Sequence, residues 1–283
     1  MITARDDAHA RELIAQFEAR AERHDVAHHG RKVAWRRFGE GPPLVLLHGG
    51  HGSWLHWIRN VDALSAAHTL WLPDMPSFGA SDTLEGHPHA ADRMPRFVEA
   101  IARTMDELVG AHTDVDLCGF SFGGFTAASL AAKRGRIRKL GLLGAGAHGG
   151  ARRQSVDLVD WRLPDRDAKL AALRRNLVPF MLHDERRSDA LALAIHEWSC
   201  VQTRFRSKAI AQAGGLPEAL NRITAPMLLA WGEHDVTAVP DEVGLRLASG
   251  HPNRVFRVVK DAGHWAQYEQ AGAVNALLLD WFR

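Results

Sequence analysis

The amino-acid sequence predicts an α/β fold, with a mostly parallel central sheet flanked by helices and a helical cap inserted into it. Two observations carry this expectation. From residue 44 onward, short apolar runs alternate with helical patterns, as they do when parallel strands are covered on both faces. Between residues 148 and 221 the alternation stops, and apolar and aromatic residues recur without a convincing strand.

Each element follows from its local pattern. Residues 3–22 place Leu13, Ile14, Phe17 and Ala21 on one face of an amphipathic helix, so residues 1–24 read as an N-terminal helical segment. That helix packs either on the body or on a partner subunit of a homo-oligomer. Extended segments at 25–29 and 33–38 flank His29-Gly30-Arg31 and predict an antiparallel hairpin. Strands are expected at 44–47, 70–72, 115–118, 140–143, 227–231 and 255–259, with helices at 94–109 and 122–133 between them. The core is then 25–147 with 222–283. The cap, 148–221, carries Trp161, Phe180, Met181, Trp198 and Phe205, and is too apolar to be a disordered linker.

Composition narrows the function. The 283 residues are 46% hydrophobic and 24% charged, with a net charge of +2, which argues against a broad nucleic-acid footprint. The N-terminus lacks the apolar core of a signal peptide, and no apolar run nears the roughly 20 residues that span a bilayer. Cys118 and Cys200 read as buried free thiols, so a reducing cytoplasm is the expected location. The expected partner is a small-molecule substrate, with no nucleic acid, membrane, metal or cofactor involved.

The chemistry centres on Gly119-Phe120-Ser121-Phe122-Gly123-Gly124, a G-x-S-x-G pattern that follows an apolar run and precedes an alanine-rich helix. A serine hydroxyl becomes a useful nucleophile when a base takes its proton and a sharp turn holds its oxygen clear of the backbone. The flanking glycines are needed because a Cβ would collide inside that turn. His48-Gly49-Gly50-His51-Gly52 follows the strand at 44–47, and its glycines let backbone N–H groups approach a substrate oxygen. The N–H groups of Gly50 and Phe122 are the expected oxyanion pair. Asp235, in Gly232-Glu233-His234-Asp235, and His264, in Ala262-Gly263-His264-Trp265, each stand at the end of a late strand, on the ligand-binding side of a parallel sheet.

The order Ser121, Asp235, His264 resembles that of the α/β-hydrolase superfamily, specifically its lidded serine branch. The resemblance runs from about residue 25 to the end. The segment from Asp74 to Ser81 resembles the family's loop after its fourth strand, although a glycine is more usual at the position of Ser77. The resemblance implies that Ser121 attacks a carbonyl, His264 relays its proton and Asp235 orients the imidazole. Trp265, His51 and Phe120 are the candidate substrate-binding residues.

The expected activity is hydrolysis of a small apolar acyl compound, a carboxylic ester first. The alternative is hydrolysis of a carbon–carbon bond in a ring-cleavage product of aromatic degradation. Trp265 after the histidine resembles such enzymes, and a lid arginine such as Arg204 or Arg206 would suit their acidic substrates. Against it, Phe120 stands where those enzymes typically have Asn, and the loop at His48–Gly52 lacks their Gly-Pro-Gly. A cofactor-free haloperoxidase or perhydrolase uses the same three residues. Epoxide hydrolysis and dehalogenation are disfavoured, because those relatives carry Asp at the position of Ser121. A binding protein that keeps the fold without turnover is the reading from a different class. His48 is expected to bond backbone near the oxyanion loop, while the pairs His28-His29 and His87-Pro88-His89 read as solvated loops rather than metal sites.

Overall fold

In the computed structural model, residues 2–88 and 90–283 are described; Met1 and His89 lie outside the described residues. The first helix, α1 (Asp7–Arg20), starts where the Asp6 carboxylate accepts the His9 N–H at 2.8 Å. It leads into the expected hairpin of β1 (Glu22–His28) and β2 (Arg31–Phe38). His29 and Gly30 turn the chain with φ of 49° and 70°, the left-handed pair that suits a two-residue hairpin.

Six further strands follow: β3 (Pro43–Leu47), β4 (Thr69–Asp74), β5 (Val115–Phe120), β6 (Ile137–Leu143), β7 (Met227–Gly232) and β8 (Arg254–Val259). They lie in the order β1-β2-β4-β3-β5-β6-β7-β8. The pairings from β4 to β8 are parallel, and β2 meets β4 antiparallel. Every residue of β4, β5 and β7 is buried, so these strands read as short, mostly apolar runs, with the buried Asp116 of β5 paired to Arg138.

Helices fill the two faces. Between the strands of the body lie α2 (Val61–Ser65), α3 (Arg93–Val109) and α4 (Phe122–Arg134). Between β6 and β7 run an irregular stretch and then α5 (Arg166–Met181), α6 (Ala190–Val201), α7 (Ser207–Gln212) and α8 (Leu216–Leu220), with no strand among residues 148–221. The chain closes with α9 (Pro240–Ala248), α10 (Ala266–Glu269) and α11 (Ala271–Trp281). Two apolar clusters result, one containing Phe97, Phe122 and Leu140 and the other Leu46, Trp57 and Leu278.

The N-terminal helix packs on the body of the same chain. It lies against α6, with Ala10 and Phe17 buried, and Glu18 pairs with the buried Arg36 at 2.9 Å. Arg36 also reaches the buried Asp74 at 2.9 Å; burial works against its charge, but the two carboxylates hold its pKa above the ordinary value. No helix among the described residues is long and apolar enough to cross a membrane.

Candidate active site

The turn from β5 into α4 sets the nucleophile. Ser121 has φ 54° and ψ −117°, a conformation outside the ordinary wells that only a tightly determined neighbourhood maintains. That neighbourhood is built from glycine. A Cβ on Gly119 would lie 2.2 Å from the Gly123 carbonyl oxygen, and one on Gly123 would lie 2.2 Å from that of His48. The Ser121 N–H donates to Leu143 at 2.9 Å, and its carbonyl accepts from Gly124 and Gly146. With its backbone so engaged, the half-buried side chain stands clear.

Residues far apart in the chain then meet in one line. His264 Nε2 lies 2.9 Å from Ser121 Oγ, and His264 Nδ1 lies 2.9 Å from Asp235 Oδ2. An ionised carboxylate only accepts, so Nδ1 carries the proton and Nε2 faces the hydroxyl as an acceptor. Asp235 is fully buried. Burial opposes its charge, yet the imidazole and the Thr237 N–H and hydroxyl, at 2.8 and 2.7 Å, hold its carboxyl below the ordinary range. Such a line can take a proton from an alcohol as it attacks and return it to a leaving group.

The other candidates divide. Gly49 and Gly50 flank the nucleophile: a Cβ on Gly49 would lie 3.3 Å from Ser121 Cβ, and one on Gly50 would lie 3.6 Å from Phe122 Cβ. Phe122 opens α4, so its N–H has no acceptor within the helix. His51 is half-buried beside Gly50, with a left-handed φ of 49°, and burial lowers its pKa. Phe120 and Trp265, by contrast, are 1% and 0% exposed. The Phe120 ring backs the His264 imidazole at 5.0 Å, while Trp265 donates to the His56 carbonyl at 3.0 Å and stacks on Tyr268. Both rings are packed in the interior beside the triad rather than presented at the surface.

Arg204 and Arg206 take different places. Arg204 binds the carbonyls of Gly79 and Ser81 and its N–H binds that of Ser77, so it straps the insertion to the loop after β4. Arg206 is exposed on the surface. Phe205 belongs to the body, buried among Phe78, Phe97 and Phe122 with ring centroids 4.6 to 5.8 Å away.

Buried imidazoles surround the floor. His48 bonds backbone as expected, with Gly49 at 2.8 Å and the Met75 N–H at 3.0 Å, and burial lowers its pKa to about 4. His56 is 1% exposed and accepts the Gly49 N–H. Cys118 and Cys200 are free and buried; desolvation raises both thiols, that of Cys200 to about 12. His29 sits exposed at the hairpin turn and His87 exposed in the loop after β4.

Thr237 and Gly144 escaped sequence reasoning. Thr237 is only two residues beyond Asp235, but nothing in the sequence marks the turn that folds its hydroxyl back. Gly144 has φ 53°, and a Cβ there would lie 3.1 Å from Asp235 Oδ2. Among the described residues one metal-like group occurs, Glu233, His234 and Asp261, with ligand atoms within 4.8 Å of one another. Glu233 there is already paired with Lys260 at 2.7 Å.

Known proteins are similar to this chain in sequence and in fold. The 2-hydroxy-6-oxononadienedioate/2-hydroxy-6-oxononatrienedioate hydrolase of Paraburkholderia phymatum is 34% identical over 254 residues, covering 84% of this chain and 85% of the relative. The 2-hydroxy-6-oxo-6-phenylhexa-2,4-dienoate hydrolase of Burkholderia cepacia is 29% identical over 260 residues, covering 86% and 88%. Among solved structures, the meta-cleavage product hydrolase of Pseudomonas fluorescens IP01 superposes with a TM-score of 0.74 at 23% identity, covering 92% and 97% of the two chains. The naproxen esterase of Bacillus subtilis gives 0.74 at 19% identity, covering 97% of each. Residues 44–277 match the model of the alpha/beta hydrolase family. The chain belongs to that family.

Proposed function

We propose that this chain is a serine hydrolase that cleaves a carbon–carbon bond in an acidic 2-hydroxy-6-oxo-dienoate, the kind of compound formed by opening an aromatic ring. Ser121 attacks the 6-oxo carbon, and His264 accepts its proton while Asp235 stabilises the imidazolium. The N–H groups of Gly50 and Phe122 receive the oxygen as it gains charge. A carbon leaving group departs only if its electron pair is delocalised. Once the 2-hydroxy group has ketonised, the conjugated carbonyl supplies that sink. Water then releases the acyl group from Ser121. In this reading residues 148–221 are the cap that excludes bulk water, and the enzyme works in a reducing cytoplasm.

The observation that carries the mechanism is the His264 ring bridging Ser121 and Asp235 at 2.9 Å on each side. The likeness over 84% of the chain to a hydrolase of this substrate class supports the choice of bond. One feature favours the second reading, ester hydrolysis: Phe120 is apolar and packed on His264, so it offers a polar leaving fragment no partner.

The test compares turnover of a 2-hydroxy-6-oxo-dienoate, followed by loss of its visible absorbance, with that of nitrophenyl butyrate. The dienoate is expected to win by at least about a hundredfold in kcat/KM, a difference of about 2.7 kcal/mol. The reverse ranking supports the esterase reading instead. Ser121→Ala should abolish either activity, by about 10⁵-fold or more.

A further inference from the structure

We infer that Ser207, at the start of α7 in the insertion, is a third hydrogen-bond donor to the acyl oxygen held by Gly50 and Phe122. The inference rests on the oxyanion assignment made above. A Cβ built on Gly50 would lie 2.5 Å from the Ser207 hydroxyl oxygen and 3.5 Å from Ser207 Cβ. That same Cβ position is 3.6 Å from Phe122 Cβ, so Gly50 has the Ser207 hydroxyl and Phe122 both close at hand. Gly50 is not among the residues with positive φ, so its backbone would accept a side chain. Glycine there makes room for a group arriving from above.

The hydroxyl has no other task. Ser207 is 4% exposed and no hydrogen bond engages its side chain among the described residues, but its oxygen is not fully enclosed and so stays open to the site. It does not cap α7, whose start carries no side-chain cap bond. A hydroxyl that no protein group engages and that is still open to the site is free to donate to a bound ligand. The group is also held in place. Two residues earlier, Phe205 is locked among three body phenylalanines. Four residues later, the Ala211 carbonyl accepts the Ala147 N–H at 2.9 Å, and the neighbouring Gly146 N–H binds the Ser121 carbonyl at 3.0 Å. The donor thus comes from the insertion but is tied to the nucleophile's own loop.

Its contribution belongs to the transition state. The substrate oxygen is a neutral carbonyl in the bound substrate and an oxyanion in the tetrahedral intermediate. A fixed O–H donor therefore gains strength as attack proceeds, and its proton stays on Ser207 throughout.

The test uses nitrophenyl butyrate, a butylboronic acid that forms a tetrahedral adduct, and labelling of Ser121 by a fluorophosphonate. Ser207→Ala should lower kcat roughly tenfold to a hundredfold while KM stays within about twofold, and should weaken the boronate in parallel. Ser207→Thr should retain activity. Gly50→Ser in the Ser207→Ala background should recover part of it, because the 2.5 Å collision is gone and a hydroxyl returns from the floor. Unchanged kcat in Ser207→Ala overturns the inference, as does a rise in KM alone. A lowered melting temperature with losses that neither the Thr variant nor the double variant restores marks a structural role and also overturns it. If the wild-type chain fails to label, the serine-hydrolase reading falls and the inference with it; normal labelling with an indifferent Ser207→Ala removes the inference alone.

Discussion

The floor of the site and the insertion above it are built from opposite materials. Beneath Ser121 the decisive residues have no side chain: Gly119 and Gly123 bring backbone within 2.2 Å of where a Cβ would stand. Above it, the insertion is attached by large side chains. Phe205 plugs the body, Arg204 straps the loop after β4, and Arg59 pairs with Asp189 at 2.7 Å beneath α6. A contact between backbones tolerates no exchange, whereas a side-chain plug can be resized. The chemistry is therefore fixed below, and the shape of the accepted substrate can be retuned above.

Three substitutions test that contrast. Gly123→Ala should have the largest effect, above about 4 kcal/mol of stability, because its Cβ meets carbonyl oxygens rather than a movable side chain. Recovery of a soluble variant with wild-type unfolding midpoint and activity would refute the backbone argument. Phe205→Ala should cost about 3 kcal/mol, with faster proteolysis near residues 204–212, and Phe205→Leu should regain most of the loss. A Leu variant no better than Ala would show that the insertion, too, demands one exact shape.

The third effect depends on pH. Burial lowers the pKa of His48 from 6.5 to about 4, so between those values the unfolded chain takes up a proton that the folded chain refuses. The stability this provides is complete above pH 6.5 and declines as pH falls toward 4, by about 1.4 kcal/mol per unit. His48→Gln should remove about 2 kcal/mol of the decline between pH 6.5 and 5, read from urea midpoints at the two pH values. Parallel slopes in wild type and variant would show that His48 takes up its proton as readily in the folded chain as in the unfolded one.

The same contrast explains what could be read in advance. The strands were legible because parallel strands covered on both faces are rich in apolar residues, and Ser121, Asp235 and His264 each follow a short, mostly apolar run, though Asp116 and Arg257 interrupt two of the three. The glycines of the turn were legible because only glycine fits. The sheet order was not, since the placement of β4 between β2 and β3 depends on crossovers that leave no local mark. Nor were side-chain destinations. Arg204 has the composition of a ligand for a carboxylate, yet carbonyls more than a hundred positions away occupy it. Phe120 and Trp265 flank reactive residues in sequence, but a one-residue step in a strand or turn points a side chain away from its neighbour, and both face the interior.

Ser77 adopts φ 69°, which accounts for the glycine more usual at its position in the family. A side chain in that left-handed well costs about 1–2 kcal/mol. The Ser77 hydroxyl accepts the Leu84 N–H at 2.7 Å. Such a bond returns about 1 kcal/mol. Penalty and compensation are of similar size, so a serine there costs the fold little compared with the glycine more usual at that position.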